Sequence, residues 1–229
     1  FPYTTLFRSI IFLLLLTVMG QQMMAQTEVK KPKEAFELFF GTFVNNDDAV
    51  LNKLNDYLKP TVEGQNAYQV DFKETSQEMI NGSVENFLAA FPKATAAACK
   101  KEAEDYFRAM FDNFKKGKLT VKDVKVVPNE YVEGQKIAEV SYSVSFLVPS
   151  KLTSGPKGDL NKIKTEDLKK YLIQAVLDFK KADKTVTTDQ KFSLYELKEG
   201  DKIYYWNGSP DEIVSNLTDF YFESFGANE

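Results

Sequence analysis

Apolar side chains recur at helical spacing near the start of the chain. In residues 32–44 they fall on one face, and Pro32 stands where the first turn of a helix accepts proline. Residues 50–58 repeat the pattern and stop before Pro60. The polar residues 45–48 between the two segments can cap the second helix. We therefore predict a hairpin of two amphipathic helices.

More helical sequence follows after an irregular stretch. Residues 61–82 contain Gly64 and Gly82 without sustained helical spacing, so we expect them to be mostly loop. Residues 83–91 place apolar side chains at helical spacing and are followed by a proline. Residues 93–116 carry the longest apolar stripe in the chain and end at a glycine, which predicts one long helix.

The pattern changes from helical spacing to alternation at residue 119. Residues 119–126 and 138–148 alternate apolar and polar side chains, which is typical of strands with one buried face, and Gly134 marks a turn between them. Residues 191–197 and 202–206, joined by a short turn with glycine, predict a second hairpin. The second half of the chain is therefore expected to form antiparallel strands.

Two further helices accompany these strands. A helix capped by Thr165, with acids in its first turn and lysines near its end, is expected between the two hairpins. The segment 149–164 before it is rich in glycine and proline, and we predict that residues 149–186 form a mobile insertion of loop and helix. Ser209 begins a capping box that opens a last helix, which runs to Gly226.

Helices first and strands afterwards predict an α+β fold: N-terminal helices packed on a curved antiparallel sheet, with an inserted helix and a C-terminal helix. Four motifs carry a family resemblance. They are Pro-x-x-Ala-x-x-x-Phe at 32–39, Leu-x-Val-x-x-Val-x-Val-Val at 119–127, Ala-Glu-Val-Ser-Tyr-Ser-Val at 138–144 and Glu-Gly-Asp-Lys-Ile-Tyr-Tyr-Trp at 199–206. They resemble the nuclear-transport-factor-2-like superfamily, the cystatin-like cone, and especially its small exported bacterial members. The resemblance implies a cone that can enclose a pocket, but no particular reaction, because that fold hosts isomerases, dehydratases and non-catalytic modules.

An apolar run lies near the N-terminus. Residues 10–19 are too few to cross a bilayer but have the length of the core of a secretory signal. Cleavage is expected after Ala25, leaving residues 26–229 as a single α+β domain that is exported, periplasmic or secreted, without a membrane span. Residues 1–9 resemble a translated sequencing adaptor and are interpreted as foreign to the fold. Cys99, the sole cysteine, lies far from the cleavage point, so a lipoprotein is not expected.

The amino-acid composition limits the catalytic and binding chemistry that is open to this chain. The 229 residues include no histidine, which excludes histidine-dependent nucleophiles, His-ligated metals and imidazole pH switches. The formal net charge is −4. Arg108 is the only arginine outside the leader, so the bidentate fork that favours phosphate recognition is nearly absent. A nucleic-acid partner is therefore not expected.

No motif in the sequence indicates a catalytic residue, a metal ligand set or a cofactor. Acidic pairs at 47–48, 166–167 and 211–212 each stand at a predicted helix start, where capping and the helix dipole favour acids. Glycine-rich phosphate loops, calcium loops and Cys-x-x-Cys pairs do not occur. We predict no catalytic residue, no metal site and no cofactor.

Aromatic residues are the most unusual feature, at 14% of the chain. Five of them are candidates for lining a ligand pocket: Tyr106, Tyr142, Phe146, Tyr195 and Trp206. Such a pocket would suit an apolar or sugar-like small molecule, whereas aromatic residues at these positions could equally form a core.

Two functions are weighed at this stage, and a structural or assembly role in the envelope is a third possibility. The first is an exported non-catalytic binding or interaction module that meets a small molecule or an envelope protein. The alternative is a cone-fold enzyme of the isomerase or dehydratase type that uses an Asp or Glu base and a Tyr donor. An acid at a cavity lined by Tyr142 or Trp206 would favour the enzyme.

Overall fold

The computed structural model describes residues 27–226 and shows an α+β fold. The predicted signal segment and its cleavage point lie outside these residues. The elements are β1 Thr27–Glu28, α1 Pro32–Phe43, α2 Asp48–Leu58, α3 Phe72–Leu88, α4 Lys93–Ala98, α5 Lys100–Phe114, β2 Lys118–Pro128, β3 Lys136–Val148, α6 Thr165–Lys180, β4 Lys184–Glu199, β5 Lys202–Trp206 and α7 Asp211–Gly226. Short 3₁₀ turns occupy Lys59–Val62 and Leu160–Lys162. The predicted fold class is confirmed: helices precede a curved, unclosed antiparallel sheet, and a helix ends the described chain.

The sheet has the strand order β1-β5-β4-β3-β2. The strands β2 to β5 pair antiparallel, whereas the two residues of β1 pair parallel to β5 at its outer edge. The β4–β5 hairpin turns through Gly200 and Asp201, and the φ of +56° at Gly200 is one that glycine adopts at little cost. Both predicted hairpins are therefore present.

Three helices form the layer next to the sheet. Helices α1, α5 and α7 contact its strands, while α3 and α6 pack against α5. The core between these layers is rich in rings: Phe36 lies 4.7 Å from the Tyr142 ring, and Phe146 lies 5.3 Å from both Phe114 and Tyr221, measured between centroids. Side chains from both halves of the sequence thus share one continuous core.

The prediction that residues 61–82 are mostly loop is wrong for the second half of that stretch. Helix α3 begins at Phe72, and the Asp71 carboxylate caps it by accepting hydrogen bonds from the backbone N–H groups of Lys73 and Glu74. Before Ser83 only Phe72 and Ile80 of this helix are buried, so the apolar stripe there is too thin to be recognised in the sequence. The second half of α3 coincides with the helical segment predicted from residue 83. The helix is stabilised by packing against α5.

The long helix predicted over residues 93–116 is divided in two. The chain leaves helical geometry at Cys99, where φ is −104° and ψ is 4°, so α4 ends there and α5 begins. Cys99 is fully buried, its Sγ lies 3.7 Å from the Thr165 carbonyl oxygen, and burial raises the pKa of its thiol. The break therefore places an unreactive cysteine against the start of α6.

The inserted helix is present with shifted ends. Lys164 is the N-cap of α6, and Thr165 is its first helical residue, with its hydroxyl donating to Thr95 Oγ1 rather than capping the helix. Strand β4 begins at Lys184, before the predicted end of the insertion and seven residues before the predicted strand. The early part of β4 is polar, and its pairing with β3 makes it a strand.

Hydrogen exchange will test the predicted mobility of residues 149–164. Two aspartates tether this connection: Asp183 accepts from the Ser150 N–H and Asp178 from the Thr153 N–H, at 2.9 and 2.8 Å. Burial alone would raise the pKa of Asp178, but hydrogen bonds from Thr153 and Gln174 outweigh it and lower that pKa. We expect the amide hydrogens of Ser154, Gly155, Lys157 and Gly158 to exchange about 100-fold faster than those of β3. Protection equal to that of β3 would contradict the prediction.

Candidate functional site

An apolar groove of about 520 Å³ opens to the surface between α3, α5 and α7. It is lined by Met79, Ser83, Phe87, Tyr106, Phe107, Met110, Phe111, Thr218, Phe222 and Phe225. Five of these ten residues are phenylalanines, and the Met79 side chain at the groove is 47% exposed. We call this feature the groove.

A smaller cavity of about 120 Å³, which we call the inner cavity, lies beside the groove. Met79, Phe111, Thr218 and Phe222 line both spaces. The additional lining residues of the inner cavity are Phe43, Val44, Asn46, Ser76, Phe114, Lys115 and Val214. The end of α1 and the turn after it thus line this space as well.

Helical spacing explains why these side chains meet. Phe107 and Phe111 stand four residues apart on α5, as Met79 and Ser83 do on α3, so each pair lies on one helix face. Edge contacts hold the walls together: the Phe107 ring lies 5.8 Å from Phe87 and the Phe111 ring 6.3 Å from Phe222. The small residues Ser83 and Thr218 stand among these rings and leave space unfilled.

Polar groups gather at the inner cavity. The Lys115 ammonium donates a hydrogen bond to Ser76 Oγ at 3.0 Å, and Asn46 Nδ2 lies 3.5 Å from the same oxygen. Asn46 has a φ of +51°, a left-handed conformation that asparagine tolerates better than most residues. The neighbouring Asn45 donates to the carbonyl oxygens of Lys115 and Gly117 and so fixes the end of α5 against this turn.

The five predicted pocket residues occupy three different places. Tyr106 lines the groove, and burial raises the pKa of its hydroxyl. Tyr142 and Phe146 are each 1% exposed and belong to the core, where burial raises the pKa of Tyr142 to about 12. Tyr195 and Trp206 are directly paired across β4 and β5. The structure therefore brings Tyr195 and Trp206 together, whereas Tyr106 lies apart from them in the groove.

A second, polar concavity of about 280 Å³ lies beside Tyr195. Lys191, Asn207 and Glu212 are among its lining residues. The Asn207 side chain donates to the Ser193 carbonyl oxygen at 2.7 Å and accepts from the Ser209 N–H at 2.6 Å, so it ties β4 to the start of α7. These bonds give Asn207 a structural part in this concavity.

The described lining of the groove and of the inner cavity contains no acidic residue. Asp47 caps α2 by accepting from the N–H groups of Ala49 and Val50, as its position in the sequence predicted. Glu196 is 5% exposed on β4 and lines neither space.

The part of the chain that the structure describes contains neither a metal-binding cluster nor a membrane-spanning helix. Within it, no group of three or more Cys, Asp or Glu side chains is placed to hold a metal ion. No helix between residues 27 and 226 has the length and apolar character needed to cross a bilayer.

The groove contains residues that the sequence did not single out, namely Phe87, Phe107, Phe111, Thr218 and Phe222. Their helical spacing marks them as an apolar face, which is also the signature of a core. Comparison of the chain with protein-family models, with curated proteins and with solved structures gave no match. The geometry of the groove is therefore the basis for proposing a function.

Proposed function

We propose that this protein is a non-catalytic binding module whose groove takes up the hydrocarbon chain of a small amphiphilic molecule. The observation that carries the proposal is the apolar groove between α3, α5 and α7, which shares four lining residues with the inner cavity. Aromatic and aliphatic walls with few polar groups are typical of sites for apolar ligands. We also propose that the protein is exported and belongs to the nuclear-transport-factor-2-like superfamily. The helices packed on a curved sheet support the membership of that superfamily.

The shape of the site favours a chain-like ligand over a protein segment. The inner cavity holds only about 120 Å³, and Phe43, Val44 and Asn46 are among its lining residues. A helix is about 10–12 Å across with its side chains, which is far too wide to enter such a space. The hydrocarbon chain of an amphiphile can lie in the groove, with its polar end at the inner cavity.

The absence of acids from the lining favours binding over catalysis. An isomerase or dehydratase of the proposed alternative needs a carboxylate within hydrogen-bonding reach of its substrate. Of the described residues, none that lines the groove or inner cavity is Asp or Glu. Tyr106 alone offers a phenol there, and with its raised pKa it acts as a neutral hydrogen-bond donor.

Filling the groove is expected to abolish binding. Ser83 lines the groove, so Ser83→Trp should place an indole in the space that the ligand occupies. We expect calorimetry with dodecanol to show binding to the unaltered protein and about tenfold or greater loss of affinity in the variant. Asn86→Trp, on an exposed position of the same helix outside the groove, is the matched control and should bind normally. Equal binding by both variants would refute the groove as the site.

A further inference from the structure

We infer that the groove is specific for an anionic amphiphile, whose head group is held by Lys115, Asn46 and Ser76 at the inner cavity. This inference rests on the proposed function and adds the ligand's chemical class to it. Three hydrogen-bond donors of different residues line one end of a space that is otherwise apolar. A carboxylate or a similar oxyanion is the group that such donors recognise.

Lys115 forms no ion pair with any carboxylate among the residues that the structure describes. Its ammonium contacts the Ser76 hydroxyl at 3.0 Å. A half-buried cation gains free energy when an anion joins it, because the surrounding rings lower the local dielectric constant. An anionic head group supplies such a negative charge.

The other donors are held in place by the backbone. Asn46 lies in a turn whose left-handed conformation sets the position of its amide, and the next residue's N–H donates to the Gly41 carbonyl oxygen at 3.2 Å. The contact between Asn46 Nδ2 and Ser76 Oγ, at 3.5 Å, is at the long limit of a hydrogen bond, so this amide can turn to an incoming oxygen at little cost. Ser76 is fixed on α3.

The same arrangement excludes other head groups. A cationic head would meet the Lys115 ammonium with a like charge, and the described lining offers it no carboxylate. A neutral alcohol could form hydrogen bonds with these groups but has no charge that complements the Lys115 ammonium. The order of affinity expected for one chain length is therefore carboxylate, then alcohol, then quaternary ammonium.

Calorimetry with three probes of equal chain length tests this order. Dodecanoate is expected to bind the full chain about tenfold more tightly than dodecanol, and dodecyltrimethylammonium more weakly than both. Lys115→Gln should weaken dodecanoate about tenfold and leave dodecanol within about twofold. Lys116→Gln changes the net charge equally at the adjacent exposed residue and should alter neither affinity.

A second variant keeps the test independent of Lys115. Asn46→Gly preserves the left-handed backbone and removes the amide, so we expect about threefold weaker binding of dodecanoate and unchanged folding. Equal affinity for dodecanoate and dodecanol, with Lys115→Gln neutral, would overturn the head-group site while leaving the proposed function intact. Failure of every probe to bind would overturn both.

Discussion

Replacing Phe36 by alanine is expected to lower the free energy of unfolding by about 3–5 kcal/mol, the cost typical of emptying a buried phenylalanine site. Phe36 is fully buried on α1, where its ring lies 4.7 Å from Tyr142 and 5.7 Å from Phe192. It thus joins the first helix to two strands far away in sequence. Neighbouring rings can fill the vacated space only in part, so a cavity remains.

Chemical denaturation followed by circular dichroism measures this loss. Tyr131→Ala is the matched control, since Tyr131 is 92% exposed at the tip of the β2–β3 hairpin and should change stability by less than about 0.5 kcal/mol. A loss below about 1 kcal/mol at Phe36 would contradict the packing of α1 on the sheet.

Replacing Asn113 by leucine should lower the free energy of unfolding by about 2–3 kcal/mol. The side chain of Asn113, which is 7% exposed, donates to the Leu147 carbonyl oxygen at 2.6 Å and to the Tyr221 hydroxyl at 3.1 Å. The Tyr221 hydroxyl in turn donates to the Met110 carbonyl oxygen at 3.3 Å. This network joins α5 to β3 and α7, and leucine would leave the Leu147 oxygen buried without that donor.

A double-mutant cycle with Tyr221→Phe separates the network from simple packing. Burial raises the pKa of Tyr221 to about 12, so its hydroxyl is neutral and acts as donor and acceptor at neutral pH. We expect a coupling free energy of about 1 kcal/mol between the two substitutions, and little effect from Asn52→Leu at an exposed position. Strictly additive losses would show that the Asn113 to Tyr221 bond contributes nothing to stability.

The strands were the part of the fold most open to prediction. Alternation in residues 138–148 follows directly from a strand with one face on the core, and β3 occupies Lys136–Val148. The polar start of β4 escaped prediction because Thr185 and Thr187 become strand residues by pairing with Leu147 and Ser145. Such pairing depends on residues distant in the sequence.

Among the helices, too, some features could be predicted from the local sequence and others depend on tertiary packing. Helix α1 was predicted from its five apolar side chains, and the structure places it over Pro32–Phe43. The first half of helix α3 was missed because it buries so few residues, although Asp71 gave a local start signal; its second half lies within the helical segment predicted from residue 83. No glycine or proline at Cys99 indicates a break in the helix. The helix divides there because a buried cysteine packs against the start of α6.

The groove could be predicted only in part. Tyr106 was singled out for its aromatic character and lies there, but the walls formed by Phe107, Phe111 and Phe222 have the spacing of any buried helix face. Whether such rings fill a core or border an opening depends on the size of the residues facing them across three helices. Lys115 could not be distinguished from other lysines, since its position beside Ser76 arises from tertiary packing.

A crystal structure with ω-bromododecanoate tests the central claim most directly, because anomalous scattering locates the bromine without prior assumptions. The expected result is a bromine peak in the groove among Phe107, Phe111 and Phe222, with the carboxylate density beside Lys115. A bromine peak elsewhere on the molecule, with the groove empty at a ligand concentration that saturates the protein in solution, would contradict it.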